Sequence, residues 1–219
     1  MIRVYVLCEG PTEERFVQRI LAPHLLQHHV ILNPISLDGG FNYERLKFNI
    51  VKLLNDDQDA YVTTLIDLYG LKGNYPGDTN NPNQTVFDRV QGMEHGLKQN
   101  ILVHKNLQND KFIPYFQVHE FEALLFSDSD TLQISLSLDR VLRPGCFEQI
   151  KVQFESPEHI NDHPRTAPSK RIMAIAPYYN KVVDGTTILE LIGLRKIRQE
   201  CRHFDRWITQ LEQLGTVNT

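Results

Sequence analysis

The chain has 219 residues, of which 41% are hydrophobic, so it can bury one good core as a single domain or as one domain with an appendage. Its formal net charge of -4 at pH 7 excludes a protein that coats nucleic acid through bulk positive charge, so any such contact needs a local patch or a metal. Cys8, Cys146 and Cys201 are scattered and form no CxxC pair, which argues against a disulfide framework or a zinc knuckle and favours a reducing compartment.

Predicted strands alternate with predicted helices in the first half of the chain. Short apolar runs predict strands at residues 2–7, 30–37, 61–66 and 112–118. Helical spacing predicts helices through Phe16–Leu21, through Leu46–Leu54 and over residues 84–102. This alternation predicts an α/β fold with a mostly parallel, Rossmann-like sheet and helices on both faces.

The pattern changes after about Ser127, where only helices and irregular segments are predicted. Apolar residues that suggest packing faces there are Ile188, Leu191, Ile192, Leu194 and Ile197. We therefore expect an α/β core over residues 1–130 and a helical extension over residues 131–219 packed on that core. The segment from Tyr69 to Gln84 is rich in Gly, Pro and Asn and predicts a surface loop.

Carboxylates recur where the predicted strands end. Glu9 follows the first strand, Asp67 the third, and His119, Glu120 and Glu122 the fourth. In open parallel sheets, ligands bind outside the carboxyl ends of the strands. Oxygen ligands of this kind suit Mg²⁺ or Mn²⁺, and two such ions promote hydrolysis of a phosphodiester. The recurrence predicts phosphoryl transfer or hydrolysis.

Each carboxylate also has a structural interpretation. Glu13 and Glu14 follow Thr12, which is a good helix N-cap, and acidic side chains in a first turn are favoured by the helix dipole. Glu9 and Asp67 are each as consistent with a local structural role as with a ligand role. A lone histidine such as His119 is more often structural.

Glu120 and Glu122 share a face if the strand continues, but lie about 200° apart if a helix has begun, and we then favour Glu122. Lys170 in "APSKRI" is the candidate cation for a scissile phosphate, with Arg171 second, although a solvated charge is the ordinary interpretation of both. The sequence has no GxxxxGK[ST], GxGxxG, GxSxG or HExxH motif, which excludes the commonest routes to other enzyme classes.

The segment "EGPTEE" resembles the first Toprim motif, and "TLIDLYG" resembles the second Toprim strand. With "HEFEALLFSD", "PSKRI" and "IGLRKIRQECRHFDRWI", nearly the whole chain resembles an uncharacterised bacterial Toprim-like family, known only as a numbered domain of unknown function. That family is similar to the nuclease half of OLD-type (overcoming lysogenization defect) proteins. Its members often lie beside ABC or AAA-type ATPases in phage-defence contexts.

The resemblance implies a Toprim-like core in which Glu9, Gly10, Glu13 and Asp67 match the metal-binding motifs. Glu122 and Lys170 match the later glutamate and lysine of OLD-type sites, with Glu120 as an extra or replacement ligand. The second motif reads Asp67-Leu68-Tyr69 instead of DxD, which departs from topoisomerases and primases. The implied activity is Mg²⁺- or Mn²⁺-dependent cleavage of DNA or RNA.

Three possibilities remain open at this stage. The chain is such a nuclease, a non-catalytic subunit that regulates or is regulated by an ATPase partner, or an enzyme that acts on a nucleotide or small phosphoester. We expect a cytoplasmic protein, because no stretch approaches the roughly 18 apolar residues of a membrane span. A homo-oligomer is also possible.

Overall fold

The computed structural model describes residues 1–37, 42–69, 71, 75–79, 81, 83–105, 111–137, 142–160, 163 and 165–216. The chain forms two compact units. The first contains Met1–Gln117 and Gln210–Thr219, and the second contains Val118–Thr209. The domain division at residue 130 stays a prediction, and it differs from this division into compact units.

The first unit is built on a parallel sheet. Its strands are β1 (Ile2–Cys8), β2 (Val30–Ser36), β3 (Tyr61–Asp67), β4 (Phe112–Ile113) and β5 (Phe116–Gln117). The strand order is β2-β1-β3-β4, and β5 also pairs with β3. Every strand pair among the described residues is parallel. The predicted α/β fold with a parallel sheet is confirmed.

The predicted fourth strand is interrupted between Ile113 and Phe116, where β4 ends and β5 begins. Pro114 lies in this gap and has no N–H for the ladder. Two threonine hydroxyls of β3 bond the segment instead. Thr63 donates to the carbonyl of Ile113 at 2.5 Å, and Thr64 donates to the carbonyl of Tyr115 at 2.7 Å. The predicted continuous strand is therefore wrong, because a proline divides it.

Helices of the first unit lie on both faces of the sheet. They are α1 (Pro11–Phe16), α2 (Ala22–Leu26), α3 (Tyr43–Asp56) and α4 (Val86–Lys105), and a π-helical turn, Val17–Leu21, joins α1 to α2. The chain moves in one direction along the sheet from β1 to β2, and in the other direction through β3 to β4. Right-handed crossovers then place α1 and α2 on one face and α3 and α4 on the opposite face.

The described elements of the second unit are helical, as predicted for the region after Ser127. They are a 3₁₀ helix (Phe121–Ser127), α5 (Ser129–Leu136), α6 (Glu148–Lys151), a 3₁₀ turn (Pro157–His159), α7 (Pro168–Ile175), a π-helical turn (Lys181–Gly185), α8 (Thr186–Ile192), α9 (Leu194–Glu200) and the start of α10 (Arg202–Thr216). Ile188 and Ile197 are buried, whereas Leu191 is 65% exposed, so its predicted packing role is wrong. Within the described residues, no helix is long and apolar enough to cross a membrane.

Candidate functional site

The carboxyl ends of β1 and β3 flank the point where the sheet changes direction. The chain passes from β1 to β2 on one side, whereas β3 is the neighbour of β1 on the other side. This is the topological switch point, where open α/β sheets bind ligands. Glu9 directly follows β1, and Asp67 is the last residue of β3. The topology therefore places two predicted ligand residues at the expected position.

Backbone hydrogen bonds fix these two residues relative to each other. The N–H of Asp67 donates to Oε2 of Glu9 at 3.2 Å, and the N–H of Glu9 donates to the carbonyl of Leu65 at 3.2 Å. Asp67 is 6% exposed, while Glu9 is half-buried. One Glu9 oxygen thus orders the end of the adjacent strand.

Glu13 forms the start of α1 together with Gly10. The helix begins at Pro11, so Thr12 is not its N-cap, and proline is favoured at a first helical position. Oε2 of Glu13 accepts a hydrogen bond from the N–H of Gly10 at 3.1 Å, and the side chain is buried. Gly10 is extended, with φ at -158° and ψ at -169°. The Glu13 carboxylate therefore has a structural capping role, while its role as a metal ligand stays a prediction.

Glu14 has the ordinary role predicted for it. Its Oε1 accepts a hydrogen bond from Nε2 of Gln18, one helical turn later, at 3.1 Å. This contact is between exposed side chains on the helix surface. Glu14 therefore supplies a matched control for Glu9 and Glu13, as an acidic side chain of the same short segment.

Tyr75 lies near Glu9, and no sequence motif had identified it as a candidate site residue. It lies in the segment predicted as a surface loop, yet it is only 4% exposed, and its ring contacts those of Tyr43 and Phe116. Burial, and then the negative charge of Glu9, raise the pKa of Tyr75, so the phenol stays protonated. Among the described residues, no hydrogen-bond partner faces its hydroxyl. Tyr75 is thus a neutral donor within the electrostatic range of Glu9.

The described part of this loop is seated on α4. A Cβ atom on Gly77 would lie 1.9 Å from the carbonyl oxygen of Gly92, and one on Gly96 would lie 2.5 Å from the backbone of Pro76. A side chain at either position would clash with the neighbouring backbone, so the loop can approach α4 this closely only because both residues are glycines. Tyr75 is therefore buried within the predicted surface loop, whereas Gly77 is exposed as predicted, and part of the segment lies outside the described residues.

The donor set of the first unit fits a hard divalent cation. Glu9, Glu13 and Asp67 offer carboxylate oxygens, and Mg²⁺ sites use one or two carboxylates with several waters. Across the described ranges, three metal-ligating atoms lie within 4.8 Å of one another in one group only, and that group contains none of these residues. The three carboxylates thus do not meet this spacing with one another in the structure.

Glu120 and Glu122 lie in the second unit, after a strained residue. His119 has φ at 62°, in the left-handed region, and is buried. Glu120 is extended, and its Oε2 accepts a hydrogen bond from the N–H of Ser169 at the start of α7, at 2.9 Å. Glu122 lies within the 3₁₀ helix and is 2% exposed. The Glu120 carboxylate therefore caps the start of α7. Glu122 does not share this contact.

Glu122 is paired with a lysine that the sequence did not single out. Nζ of Lys181 lies 3.5 Å from Oε2 of Glu122 and 5.5 Å from the ring centroid of Phe121. Burial, and then the charge of Glu122, raise the pKa of the nearby Tyr179 phenol. Tyr179 and Lys181 lie in the segment that follows α7, the helix of Lys170, and neither residue belongs to a recognisable motif. Glu122, Lys181 and Tyr179 form what we term the Glu122 cluster.

The predicted cations Lys170 and Arg171 are placed differently from Lys181. Lys170 is exposed on the first turn of α7. Arg171 donates from Nε to the carbonyl of Thr166 at 2.6 Å, and its guanidinium lies 5.1 Å from the ring centroid of Phe154. Arg171 therefore makes structural contacts within the second unit, and the predicted roles of Lys170 and Arg171 at a phosphate stay predictions.

Comparisons with known proteins give one family and one set of solved structures. The sequence profile of a domain of unknown function (DUF4276) matches residues 8–212. No curated protein matches the chain. Two structures of the "C-terminal region of the Xanthomonas campestris pv. campestris OLD protein", phased with mercury and with iodine, are 16% and 14% identical to it. They cover 96% of this chain and 98% and 97% of theirs, with TM-scores of 0.34 and 0.35.

Proposed function

The chain belongs to the DUF4276 family, and we propose that it is a divalent-metal-dependent phosphodiesterase that cleaves DNA or RNA. One observation carries this proposal: Glu9 and Asp67 lie at the switch point of the sheet, where the Asp67 N–H holds the Glu9 carboxylate at 3.2 Å. The buried Glu13 adds a third carboxylate at the start of α1. Three acidic side chains at this edge favour a cation and, through it, a phosphate ligand.

Glu9 and Asp67 would hold Mg²⁺ or Mn²⁺, with Glu13 as a further ligand. Such an ion, when bound, supplies Lewis-acid activation of the phosphodiester and of an attacking water. The chain itself orients these ligands, because backbone hydrogen bonds at the ends of β1 and β3 fix the positions of Glu9 and Asp67 relative to each other. Tyr75 contributes a protonated hydroxyl near Glu9, since burial raises the pKa of this phenol.

A positively charged side chain within the second unit is a further candidate for binding a phosphate oxygen. Lys181 in the Glu122 cluster is a partly exposed ammonium, 34% accessible, beside a buried carboxylate. A partly exposed lysine ammonium is a compact point charge that can bind a phosphate oxygen. The sequence assigns this function to Lys170, and the contacts of Glu122 favour Lys181. Glu120 remains a predicted metal ligand, and one of its oxygens accepts a hydrogen bond at the start of α7.

The decisive experiment is a cleavage assay with matched acidic variants. Purified protein is incubated with plasmid, single-stranded DNA and RNA, with Mg²⁺, with Mn²⁺ and with chelator. We expect metal-dependent cleavage that is lost in Glu9→Gln and Asp67→Asn but retained in Glu14→Gln. Equal activity in all three variants, or equal activity with chelator, would refute the proposal.

A second candidate function is binding to an ATPase partner, as the family resemblance implies. The observation that favours it is the presence of three exposed apolar side chains within residues 181–192 of the second unit. Val182, Val183 and Leu191 are 42%, 55% and 65% exposed. Co-purification with an ATPase encoded nearby tests this function. Loss of binding in Val183→Asp/Leu191→Asp, with binding kept in Glu9→Gln, would establish an interaction role that is separate from the carboxylates.

A further inference from the structure

We propose that His24, His28 and Glu212 form a binding site for a borderline transition-metal ion of the Zn²⁺ class. One ligand atom from each of these residues lies within 4.8 Å of the others. Oε1 of Glu212 lies 2.6 Å from Nε2 of His24 and 3.6 Å from Nε2 of His28. A single carboxylate oxygen therefore faces two imidazole nitrogens. Among the described residues, this is the group with metal-ligand spacing.

The backbone holds the three side chains together from two distant parts of the chain. His24 lies in α2, and His28 lies in the following turn, where its N–H donates to the carbonyl of Leu25 at 3.0 Å. The two rings are tilted by 49°, with centroids 5.0 Å apart. Residues four apart near a helix share one side of it, so both rings face α10.

The end of α10 is seated closely against this turn. A Cβ atom on Gly215 would lie 1.7 Å from the carbonyl oxygen of His28. Only glycine allows this close approach, which packs α10 against the turn after α2 at a position three residues beyond Glu212. The Glu212 carboxylate is thus presented to the two histidines by packing that is independent of any ion.

The chemistry of the donors selects the class of ion. Two imidazoles and a carboxylate are the ligands of open Zn²⁺ sites, which keep a fourth position for water, whereas Mg²⁺ prefers oxygen ligands alone. Tetrahedral Zn²⁺ requires its ligand atoms to lie about 3.3 Å apart, given bonds of about 2.0–2.1 Å. Rotation of partly exposed side chains reaches this spacing, since the side chains are 28%, 37% and 16% accessible.

This site is separate in ligands and metal preference from the proposed Glu9 and Asp67 site. Both His24 and His28 come from the N-terminal region, while Glu212 comes from the last helix. A bound ion would therefore join the two ends of the described chain within the first unit. The expected consequence is higher resistance to unfolding, because a ligand that binds only the folded state stabilises it.

The test is metal stoichiometry on the full chain after chelation and dialysis. Equilibrium dialysis with Zn²⁺ is expected to give one tightly bound ion per chain, and Co²⁺ to give the intense visible bands of tetrahedral coordination. His24→Ala and His28→Gln should each weaken binding at least tenfold and remove the Zn²⁺-induced rise in Tm. His29→Asn is the matched control, since it changes the adjacent histidine and keeps a residue that tolerates its φ of 58°.

Circular dichroism of each variant separates lost binding from lost folding. Glu9→Gln/Asp67→Asn should bind Zn²⁺ as the wild type does, so failure of the nuclease proposal leaves this one intact. Wild-type protein that binds no Zn²⁺, or folded His24→Ala and His28→Gln that bind it unchanged, would overturn the proposal.

Discussion

The backbone N–H of Asp67 donates a hydrogen bond to the Glu9 side chain across two neighbouring strand ends, at 3.2 Å. This contact makes Glu9 both a candidate ligand and a structural acceptor for a buried strand end. Removing the carboxylate therefore has two effects, one on the proposed chemistry and one on stability. A suitable pair of substitutions separates them.

Glu9→Gln should abolish activity while preserving stability. The amide oxygen of glutamine still accepts from Asp67, but a neutral amide binds a divalent cation poorly. We expect kcat/KM to fall at least about 100-fold, since even supporting residues of metal sites are worth about 10- to 100-fold. Urea unfolding should change by less than about 0.5 kcal/mol.

Glu9→Ala is the matched comparison for stability. It removes the acceptor and should destabilise the fold by about 1–3 kcal/mol, the cost of an unsatisfied buried N–H. Equal stability of Glu9→Ala and Glu9→Gln would show that the contact with Asp67 does not order the strand end.

Lys181→Ala should have a larger effect than Lys170→Ala. Lys181 lies 3.5 Å from the buried Glu122 carboxylate, whereas Lys170 is exposed. Removal of the ammonium should destabilise the fold by about 1–3 kcal/mol, less than for a fully buried pair because Lys181 is partly solvated. Lys170→Ala should change unfolding by less than about 0.5 kcal/mol. The same order is expected in kcat/KM, and the reverse order would support the assignment made from sequence.

The sheet was predictable because each strand is a short apolar run that ends in a turn or a charge. The break in the fourth strand was missed, although Pro114 stands in the sequence, because the compensating hydroxyls of Thr63 and Thr64 come from another strand. Leu191 was misassigned for a related reason. Apolar periodicity identifies a helix, but it does not tell which apolar side chain meets a neighbour.

The positions of the candidate site residues were predictable only where sheet topology alone decides them. Glu9 and Asp67 follow adjacent strands, so the rule for strand ends finds both residues. Tyr75 and Lys181 come near carboxylates through contacts between distant segments, and neither residue stands in a recognisable motif. The His24 and Glu212 contact joins residues 188 positions apart, which no local pattern reports.

Gly10→Ala tests whether Gly10 serves a ligand or the backbone. Its φ of -158° is open to any residue, and a Cβ atom would lie 3.6 Å from Oε2 of Glu13, an ordinary contact. The fold itself therefore gives no reason for glycine, and the free energy of unfolding should change by less than about 0.5 kcal/mol. If a phosphate or metal-bound water approaches this position closely, kcat/KM should fall about tenfold or more. A stability loss with unchanged activity would contradict a binding role.

Glu158 predicts a pH dependence of stability in the second unit. It is fully buried, and its two oxygens accept the N–H groups of His203 and Phe204, each at 3.0 Å, at the start of α10. Burial raises the pKa of Glu158 above its ordinary 4.5, although these N–H groups oppose the rise. The folded protein therefore holds the Glu158 proton more tightly than the unfolded chain does.

The sign of the effect follows from this difference in proton affinity. The Glu158 contribution to stability is fully present below pH 4.5 and is lost as the pH rises through the higher folded-state pKa. Between the two values the free energy of unfolding should fall by up to about 1.4 kcal/mol per pH unit. Glu158→Gln cannot titrate, so its urea unfolding measured from pH 4 upward should lack this decline. It should also be about 1–3 kcal/mol less stable below pH 4.5, because its amide nitrogen cannot accept an N–H. Identical pH profiles of wild type and Glu158→Gln would show that Glu158 has the same proton affinity in the folded and unfolded chain.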